Sequence, residues 1–188
     1  MFWLKPLCIA ALLGLSALTL PAPAMAEDRM IEDFTDAPET RWRFFSDTVM
    51  GGVSSGQVAF VSGADQPFAR MTGRVSTANR GGFIQMRLAL ETPPAPQTRG
   101  IRLIARGNDQ RYFVHLRSGG TILPWQYYQA GFDVTRDWQE FHLPFDSFTA
   151  SGGMLRATPR AGGLSSVAIV AFGRDHEARI ELRKIGFY

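Results

Sequence analysis

Short runs in which apolar and polar residues alternate with a period of two constrain the fold of this chain more than any other feature. In the run 84–90, Ile84, Met86 and Leu88 alternate with the polar Gln85 and Arg87. Successive side chains of a β-strand point to opposite faces, so this run predicts a strand with one face on a core and one face outward. Because no stretch has a convincing helical period, the chain is predicted to be nearly all-β.

Similar runs recur along the chain and are separated by glycine, proline and Asn/Asp clusters. They predict further strands over residues 31–34, 41–45, 56–61, 69–75, 101–106, 111–117, 127–134, 139–143, 166–172 and 179–187. The turn signal Gly107-Asn108-Asp109 predicts that the runs on either side of it form a hairpin. Trp42 and Trp138 lie inside alternating runs and are predicted to be core residues. About eleven short strands at regular spacing predict a β-sandwich or jelly roll.

The N-terminal segment, residues 1–26, has the organisation of a secretory signal peptide. Lys5 precedes an apolar stretch over 7–20, and Ala24-Met25-Ala26 supplies small residues for cleavage. The apolar stretch is shorter than the roughly 20 residues that span a bilayer. We therefore expect cleavage after Ala26, one mature domain over 27–188 without stable membrane insertion, and a periplasmic or secreted location.

Composition and motifs exclude several classes of function. Cys8 is the only cysteine and lies in the predicted signal peptide, so the mature chain has neither disulfides nor a cysteine metal site. The three histidines are scattered without metal-site spacing. The net charge of +3 falls by one when Lys5 is removed, which is too little for a nucleic-acid binder. No nucleophile elbow or carboxylate pair stands out, so no catalytic residue, metal or cofactor is predicted. An unrecognised hydrolase is the remaining enzyme alternative.

Two glycine pairs are the most distinctive local features. Gly51-Gly52 lies in the run 47–56, which reads Asp-Thr-Val-Met-Gly-Gly-Val-Ser-Ser-Gly, and Gly81-Gly82 lies in the run 80–87, which reads Arg-Gly-Gly-Phe-Ile-Gln-Met-Arg. A glycine pair permits positive φ and the close approach of another backbone or a ligand, and flanking Asp and Ser can bond backbone amides. The first run is not a phosphate-binding loop, because no Gly-Lys-Ser/Thr follows and no helix is predicted there.

Together these two runs resemble the complex I intermediate-associated protein 30 family. The resemblance continues in order and extends over about residues 31–187, through Gly100-Ile101-Arg102-Leu103, Phe132, Trp138, Pro144-Phe145 and a closing strand around Leu182 and Ile185. It implies a galactose-binding-domain-like β-sandwich. It also implies a non-enzymatic role in assembling a respiratory complex, and therefore a protein partner.

The aromatic residues Trp125, Tyr127 and Tyr128 lie near Gln126 and Gln129. Exposed rings beside amide side chains would form a stacking and hydrogen-bonding platform for a sugar or for a partner protein. Core packing is the alternative, because strand alternation directs one of the two tyrosines inward.

These features favour an exported, non-catalytic binding module that supports the assembly or stability of a protein complex in the envelope. The alternative is a carbohydrate-binding module with an aromatic platform. The predicted binding surface consists of Asp47, Met50, Gly51, Gly52, Ser54, Arg87, Arg106, Tyr112, Trp125 and Tyr127. Arg87 is expected to share a surface with Arg106 and Asp47, and the predicted hairpin is expected to present Arg102, Arg106, Arg111 and Arg117 outward.

Overall fold

The computed structural model describes residues 28–62, 65–121, 123 and 125–188, so the predicted signal peptide lies outside the described residues. The described chain contains one short α-helix, α1 (Pro38–Arg41), and a series of strands. It also contains four single-turn 3-10 helices, at Asp47–Met50, Ala78–Arg80, Phe145–Ser147 and Ala161–Gly163. The strands are β1 (Arg29–Glu32), β2 (Trp42–Ser46), β3 (Ser55–Val61), β4 (Phe68–Val75), β5 (Phe83–Ala89), β6 (Gly100–Gly107), β7 (Arg111–Ser118), β8 (Tyr128–Asp133), β9 (Gln139–Pro144), β10 (Thr149–Ala150), β11 (Leu164–Phe172) and β12 (His176–Phe187). No helix in this described part is long and apolar enough to cross a membrane.

The strands form two six-stranded sheets whose strand pairs are all antiparallel. The first sheet has the order β3-β4-β12-β6-β9, with β1 added to β12. The second sheet has the order β10-β8-β7-β11-β5-β2. Neighbours in a sheet are frequently distant in sequence, as in a jelly roll, and this architecture confirms the predicted all-β sandwich.

One hydrophobic core lies between the sheets and is built from the inward positions of the alternating strands. On β5, Ile84, Met86 and Leu88 are buried, as their spacing predicts. Each such side chain contributes roughly 1.5–3 kcal/mol by leaving water. Trp42 is also buried, and its indole nitrogen donates a hydrogen bond to Glu32 at 3.0 Å. The core assignment of Trp42 is therefore confirmed.

Trp138 differs from its predicted core position. It is half-buried on the outer face of the first sheet, where its ring meets Phe68 edge-on at 5.7 Å between centroids. The guanidinium groups of Arg106 and Arg183 lie 4.6 Å and 4.2 Å from its centroid. A ring can be covered by arginine side chains on an outer face as well as by apolar residues in a core, and alternation does not distinguish these environments.

The predicted hairpin of β6 and β7 is wrong, because the two strands belong to opposite sheets. β6 pairs with β9 and β12, whereas β7 pairs with β8 and β11. The turn at Asn108 and Asp109 therefore connects the sheets. Arg102 and Arg106 lie on the first sheet and Arg111 and Arg117 on the second, so the four arginines do not share the outward face expected of one hairpin.

Candidate functional site: a cleft on the second sheet

An open cleft of about 540 Å³ lies on the outer face of the second sheet, away from the core. Four strands of the sheet, β2, β5, β7 and β11, supply most of its surface, and the segments that follow β2 and precede β8 complete it. Its lining residues are Phe45, Val49, Met50, Phe83, Gln85, Arg87, His115, Arg117, Trp125, Tyr127, Ser166, Ala168 and Phe172. Most of these side chains are apolar, and none is acidic.

The floor of the cleft is formed by small residues on the central strand β11. Ala168 lies opposite Arg87 on one neighbouring strand and opposite His115 on the other. Ser166 lies opposite Arg117 on β7. Residues in register across antiparallel strands project from the same face, so longer side chains flank two short ones. This difference in side-chain length creates a trough along β11.

A stack of aromatic rings forms one wall. The rings of His115 and Tyr127 are nearly parallel, with 4.0 Å between their centroids, and Phe172 meets both of them edge-on. His115 is buried, and its Nε2 lies 2.8 Å from the side-chain oxygen of Gln129. Burial lowers the pKa of His115 to about 4, against the opposing effect of the Gln129 contact. The wall is therefore uncharged at neutral pH.

Large apolar side chains are exposed at the rim. Val49 and Met50 follow the edge strand β2 and are 72% and 55% exposed, and Trp125, which precedes β8 near the opposite edge, is 60% exposed. Exposed apolar residues that cluster around a concavity are typical of a binding surface.

Asp47 positions the rim residues Val49 and Met50. Its carboxylate is fully buried and accepts hydrogen bonds from the amide and the hydroxyl of Ser54, at 2.9 Å and 2.5 Å. It also accepts hydrogen bonds from the amides of Gly82 and Phe83, at 2.5 Å and 3.2 Å. Burial alone would raise the pKa of Asp47, but these hydrogen bonds outweigh it and hold the pKa below its usual range. We call this arrangement the Asp47 junction.

The Asp47 junction gives the two glycine pairs a common physical reason. A Cβ on Gly52 or on Gly81 would collide with the Asp47 side chain, so both positions need the close approach that glycine allows. Gly51 has φ of 86° and ends the turn that carries Met50. The junction thus connects the two distinctive sequence runs to each other and places their loop at the edge of the cleft.

Two arginines enter the cleft from strands on either side of its floor. The Arg87 guanidinium lies over the Phe45 ring, 4.3 Å from its centroid. Burial, and secondarily the charge of Arg117, lowers the pKa of Arg87 from its usual value. Arg117 donates hydrogen bonds to the carbonyl oxygens of Thr121 and Leu123, each at 3.0 Å.

The predicted surface residues fall into three groups. Met50, Arg87, Trp125 and Tyr127 line the cleft, with Gly51 adjoining Met50. Asp47, Gly52 and Ser54 are buried in the junction rather than exposed, because the carboxylate needs amide and hydroxyl donors around it once it leaves water. They can affect a ligand only through the loop that they hold.

Arg106 and Tyr112 lie away from the cleft. Arg106 is on the first sheet, so it shares no surface with Arg87 or the Asp47 junction. Tyr112 is fully buried; its hydroxyl donates to the Asn108 side-chain oxygen and accepts from the Arg179 amide, both at 2.7 Å. Alternation already directed Tyr112 inward, so its burial follows from the pattern that predicted β7.

The sequence-based prediction missed nine lining residues: Phe45, Val49, Phe83, Gln85, His115, Arg117, Ser166, Ala168 and Phe172. A usable signal existed for two of them. Phe45 and Phe83 are aromatic residues at outward positions of their strands, where polar residues are expected if the face is simply solvated. Apolar residues on both faces of a strand indicate that the outer face is covered or binds something.

The outer face of the first sheet has a different character. The buried carboxylate of Glu181 accepts contacts from Arg70, Arg106 and Arg179 at 2.8 Å, 2.6 Å and 3.4 Å, beside a depression of about 440 Å³. Desolvation would raise the pKa of Glu181, but hydrogen bonds from Arg106 and Arg70 dominate and lower it. Over the described residues, no group of three or more His, Cys, Asp or Glu side chains could hold a metal ion.

A sequence profile of the complex I intermediate-associated protein 30 family matches residues 32–180, which include both glycine pairs and the Asp47 junction. The chain belongs to this family. No curated protein matches the chain in sequence. In this member of the complex I intermediate-associated protein 30 family, the two glycine pairs thus serve one buried carboxylate at the edge of a cleft.

Solved structures with the same fold include carbohydrate-binding modules. The family 11 module of the cellulosomal cellulase Lic26A-Cel5E of Clostridium thermocellum has a TM-score of 0.70 at 14% identity, covering 86% of this chain and 94% of that one. A family 11 module from Clostridium thermocellum in complex with a β-1,3-1,4-mixed-linked tetrasaccharide has a TM-score of 0.64 at 14% identity, covering 85% and 94%. A family 30 carbohydrate-binding module has a TM-score of 0.52 at 10% identity, covering 72% and 80%. At these identities the likeness establishes the galactose-binding-like sandwich fold and no more.

Proposed function

We propose that this protein is an exported, non-catalytic binding module that holds a protein partner in the cleft of the second sheet and supports the assembly or stability of a protein complex in the envelope. The observation that carries the proposal is the exposed apolar rim, Val49, Met50 and Trp125, around a concave and largely apolar surface. Membership of the complex I intermediate-associated protein 30 family supports an assembly role, with respiratory-complex proteins as the proposed partners.

The chemistry of the rim favours a protein ligand. Val49 and Met50 offer aliphatic and thioether surface, which gains most from contact with other apolar side chains. Methionine, tryptophan and arginine are enriched in protein interfaces, and all three residue types occur in this cleft. The Asp47 junction holds the backbone beside the exposed residues, so less conformational entropy is lost on binding than from a free loop.

Crosslinking in an envelope fraction tests the protein-partner proposal with a matched pair of variants. Met50→Ser removes an exposed methionine from the cleft, whereas Met154→Ser removes one that is 79% exposed and is not among the lining residues. We expect wild type and Met154→Ser to capture the same stoichiometric partner and Met50→Ser to lose it. Equal capture by both variants would contradict the assignment of the cleft.

Export and the absence of catalysis have their own tests. Mass spectrometry of the protein from a fractionated cell should find Glu27 as the mature N-terminus in the periplasmic or secreted fraction; an uncleaved cytoplasmic chain would contradict export. A broad hydrolase panel should show activity at background. Turnover by wild type that is lost in a cleft variant would contradict the non-catalytic proposal and show that the protein is an enzyme.

Carbohydrate binding is a second candidate function, favoured by one observation. The rings of Trp125 and Tyr127 line the cleft together with the Gln85 amide, which is the combination of stacking and hydrogen-bonding groups that sugars use. The family 11 modules share this fold. On a glycan array, Trp125→Ala should weaken any bound glycan by about 1–3 kcal/mol, by analogy with base stacking on aromatic side chains. Failure of wild type to bind any glycan would remove this candidate.

A further inference from the structure

Among the residues that the structure describes, the lining of the cleft has two positively charged side chains and no negatively charged one. Arg87 and Arg117 are among its lining residues, and none of the lining residues is Asp or Glu. In the part of the chain that the structure describes, the ion pairs of arginine involve Arg41, Arg70, Arg102, Arg106, Arg111, Arg136 and Arg179. Arg87 and Arg117 are not among them, and unlike other arginines outside these pairs they line a concave, largely apolar surface together.

The contrast with the first sheet shows why this matters. There, three arginines surround the buried carboxylate of Glu181, which supplies the charge that they need. In the cleft, Arg87 contacts the face of Phe45, and no carboxylate of the described residues forms an ion pair with it. Its lowered pKa reflects partial burial next to Arg117. A half-buried cation without a counter-ion is costly, and an anion from outside relieves that cost.

Arg87 and Arg117 flank the same floor, and hydrogen bonds to the carbonyl oxygens of Thr121 and Leu123 fix the position of the Arg117 guanidinium. Arg87 is in register with Ala168, Arg117 is in register with Ser166, and these two small residues are two positions apart on β11. Their strands flank β11 on either side, so the arginine backbones are two strand spacings apart and offset by two residues, a separation of roughly 12 Å. Arginine side chains are long enough for a carboxylate placed between Arg87 and Arg117 to contact both of them.

We propose that the cleft binds an acidic peptide segment of the protein partner, with a carboxylate between Arg87 and Arg117 and a neighbouring apolar side chain against Val49, Met50 and Trp125. This inference rests on the proposed function and adds the chemistry of the ligand. The neutral His115 ring and Tyr127 form the wall beside the carboxylate. Charge complementarity favours an acidic residue in the peptide, and the apolar rim favours an apolar residue next to it.

The same observations favour a peptide over an acidic polysaccharide. A sugar ring presents hydroxyls along most of its edge, and each buried hydroxyl needs a hydrogen-bonding partner. Val49 and Met50 at one side of the cleft, and Phe45, Phe83 and Phe172 within it, offer no such partners. A segment that alternates acidic with apolar side chains satisfies both parts of the surface.

Two peptide libraries on the full mature chain test the inference. The first contains ten-residue peptides in which Asp or Glu alternates with Leu, Phe or Trp; in the second, every Asp is replaced by Asn and every Glu by Gln. Binding is measured by fluorescence polarisation at low and at physiological salt, and an array of uronic-acid glycans is measured alongside. The variants are Arg87→Gln and the matched control Arg43→Gln. Arg43 is exposed, lies opposite Arg87 on the edge strand β2, and is not a lining residue.

Wild type should bind the acidic library on the order of tenfold more tightly than the amide library, and this preference should fall with added salt. Arg87→Gln should lose most of the preference, and Arg43→Gln should retain it. Equal binding of the two libraries in the cleft would overturn the acidic preference and leave the protein-partner proposal standing. If wild type binds uronic-acid glycans but neither peptide library, both the acidic-peptide inference and the protein-partner proposal are overturned. If Arg87→Gln and Arg43→Gln lose the preference for the acidic library to the same extent, the preference is a general charge effect and the inference is also overturned.

Discussion

Replacing Asp47 by Asn tests the Asp47 junction most directly, because the change keeps the shape of the side chain and removes its charge. One carboxylate oxygen accepts only the Ser54 amide, and the other accepts the Ser54 hydroxyl and the amides of Gly82 and Phe83. The new NH2 group must replace one of them. It should take the position with one donor, where it leaves the buried Ser54 amide unpaired.

The expected magnitude follows from these contacts. An unpaired buried amide costs about 1–3 kcal/mol, and hydrogen bonds to a neutral amide are weaker than those to a charged carboxylate. We therefore expect the free energy of unfolding to fall by about 2–4 kcal/mol. This is less than the cost of the unpaired amide and of all the weakened hydrogen bonds added together, because burying a neutral side chain costs less than burying a charged one. This is a large share of the 5–15 kcal/mol typical of a domain.

Urea denaturation as a function of pH distinguishes this reasoning from a general packing defect. The pKa of Asp47 is lowered by folding, so the carboxylate stabilises the protein above the unfolded pKa of about 3.9, and this contribution is lost as the pH falls through the lower folded pKa. The gap between wild type and Asp47→Asn should be full at pH 7 and narrow below about pH 4. Asp146→Asn, at an exposed position, is the matched control. A variant as stable as wild type at pH 7, or a gap that widens in acid, would refute the assigned role.

Three further predictions concern the stability of the sandwich. Burial lowers the pKa of His115 to about 4, so the stability it contributes is complete above the unfolded pKa and is lost between about pH 6.5 and pH 4. Wild type should lose about 3 kcal/mol over that range relative to His115→Gln, measured by urea denaturation at both pH values; parallel curves would contradict it. Tyr112→Phe removes the hydroxyl that Asn108 and the Arg179 amide share, and it should cost about 1–3 kcal/mol in thermal denaturation, where an unchanged midpoint would count against the bond. Gly73→Ala would place a Cβ against the backbone of Ser55 and Gly56 and should cost about 2–3 kcal/mol, whereas Gly162→Ala faces open space and should be near neutral; similar midpoints for the two would exclude the clash.

The alternating pattern predicted the strands well because burial is a local property of an alternating run. Ile84, Met86 and Leu88 point inward whichever strand lies beside them, and the same holds for Trp42. Strand pairing has no comparable local signal. A turn such as the one at Asn108 and Asp109 can join two strands of a hairpin or two strands in different sheets. Here it joins the sheets, because β6 pairs with β9 and β12.

The cleft could be predicted only in part for a similar reason. Met50, Arg87, Trp125 and Tyr127 were proposed as surface contacts from their residue types, and they line one cavity because β2, β5, β7, β8 and β11 belong to the same sheet. Arg106 was grouped with them on the same chemical grounds but lies on the other sheet. Residue type indicates what a side chain can bind, whereas sheet order determines which side chains meet.

By itself, the amino-acid sequence determined the all-β class, the inward face of strands such as β5 and the family. Hydrophobic periodicity and the two glycine-containing runs can be recognised from consecutive residues alone. Only the tertiary structure decided that both glycine pairs pack on the one carboxylate of Asp47, that small residues of β11 open a trough between longer neighbours, and that Arg87 and Arg117 share it. The physical reason is that these contacts join strands far apart in sequence. Their registers depend on the packing of the whole sandwich, so no local run of residues encodes them.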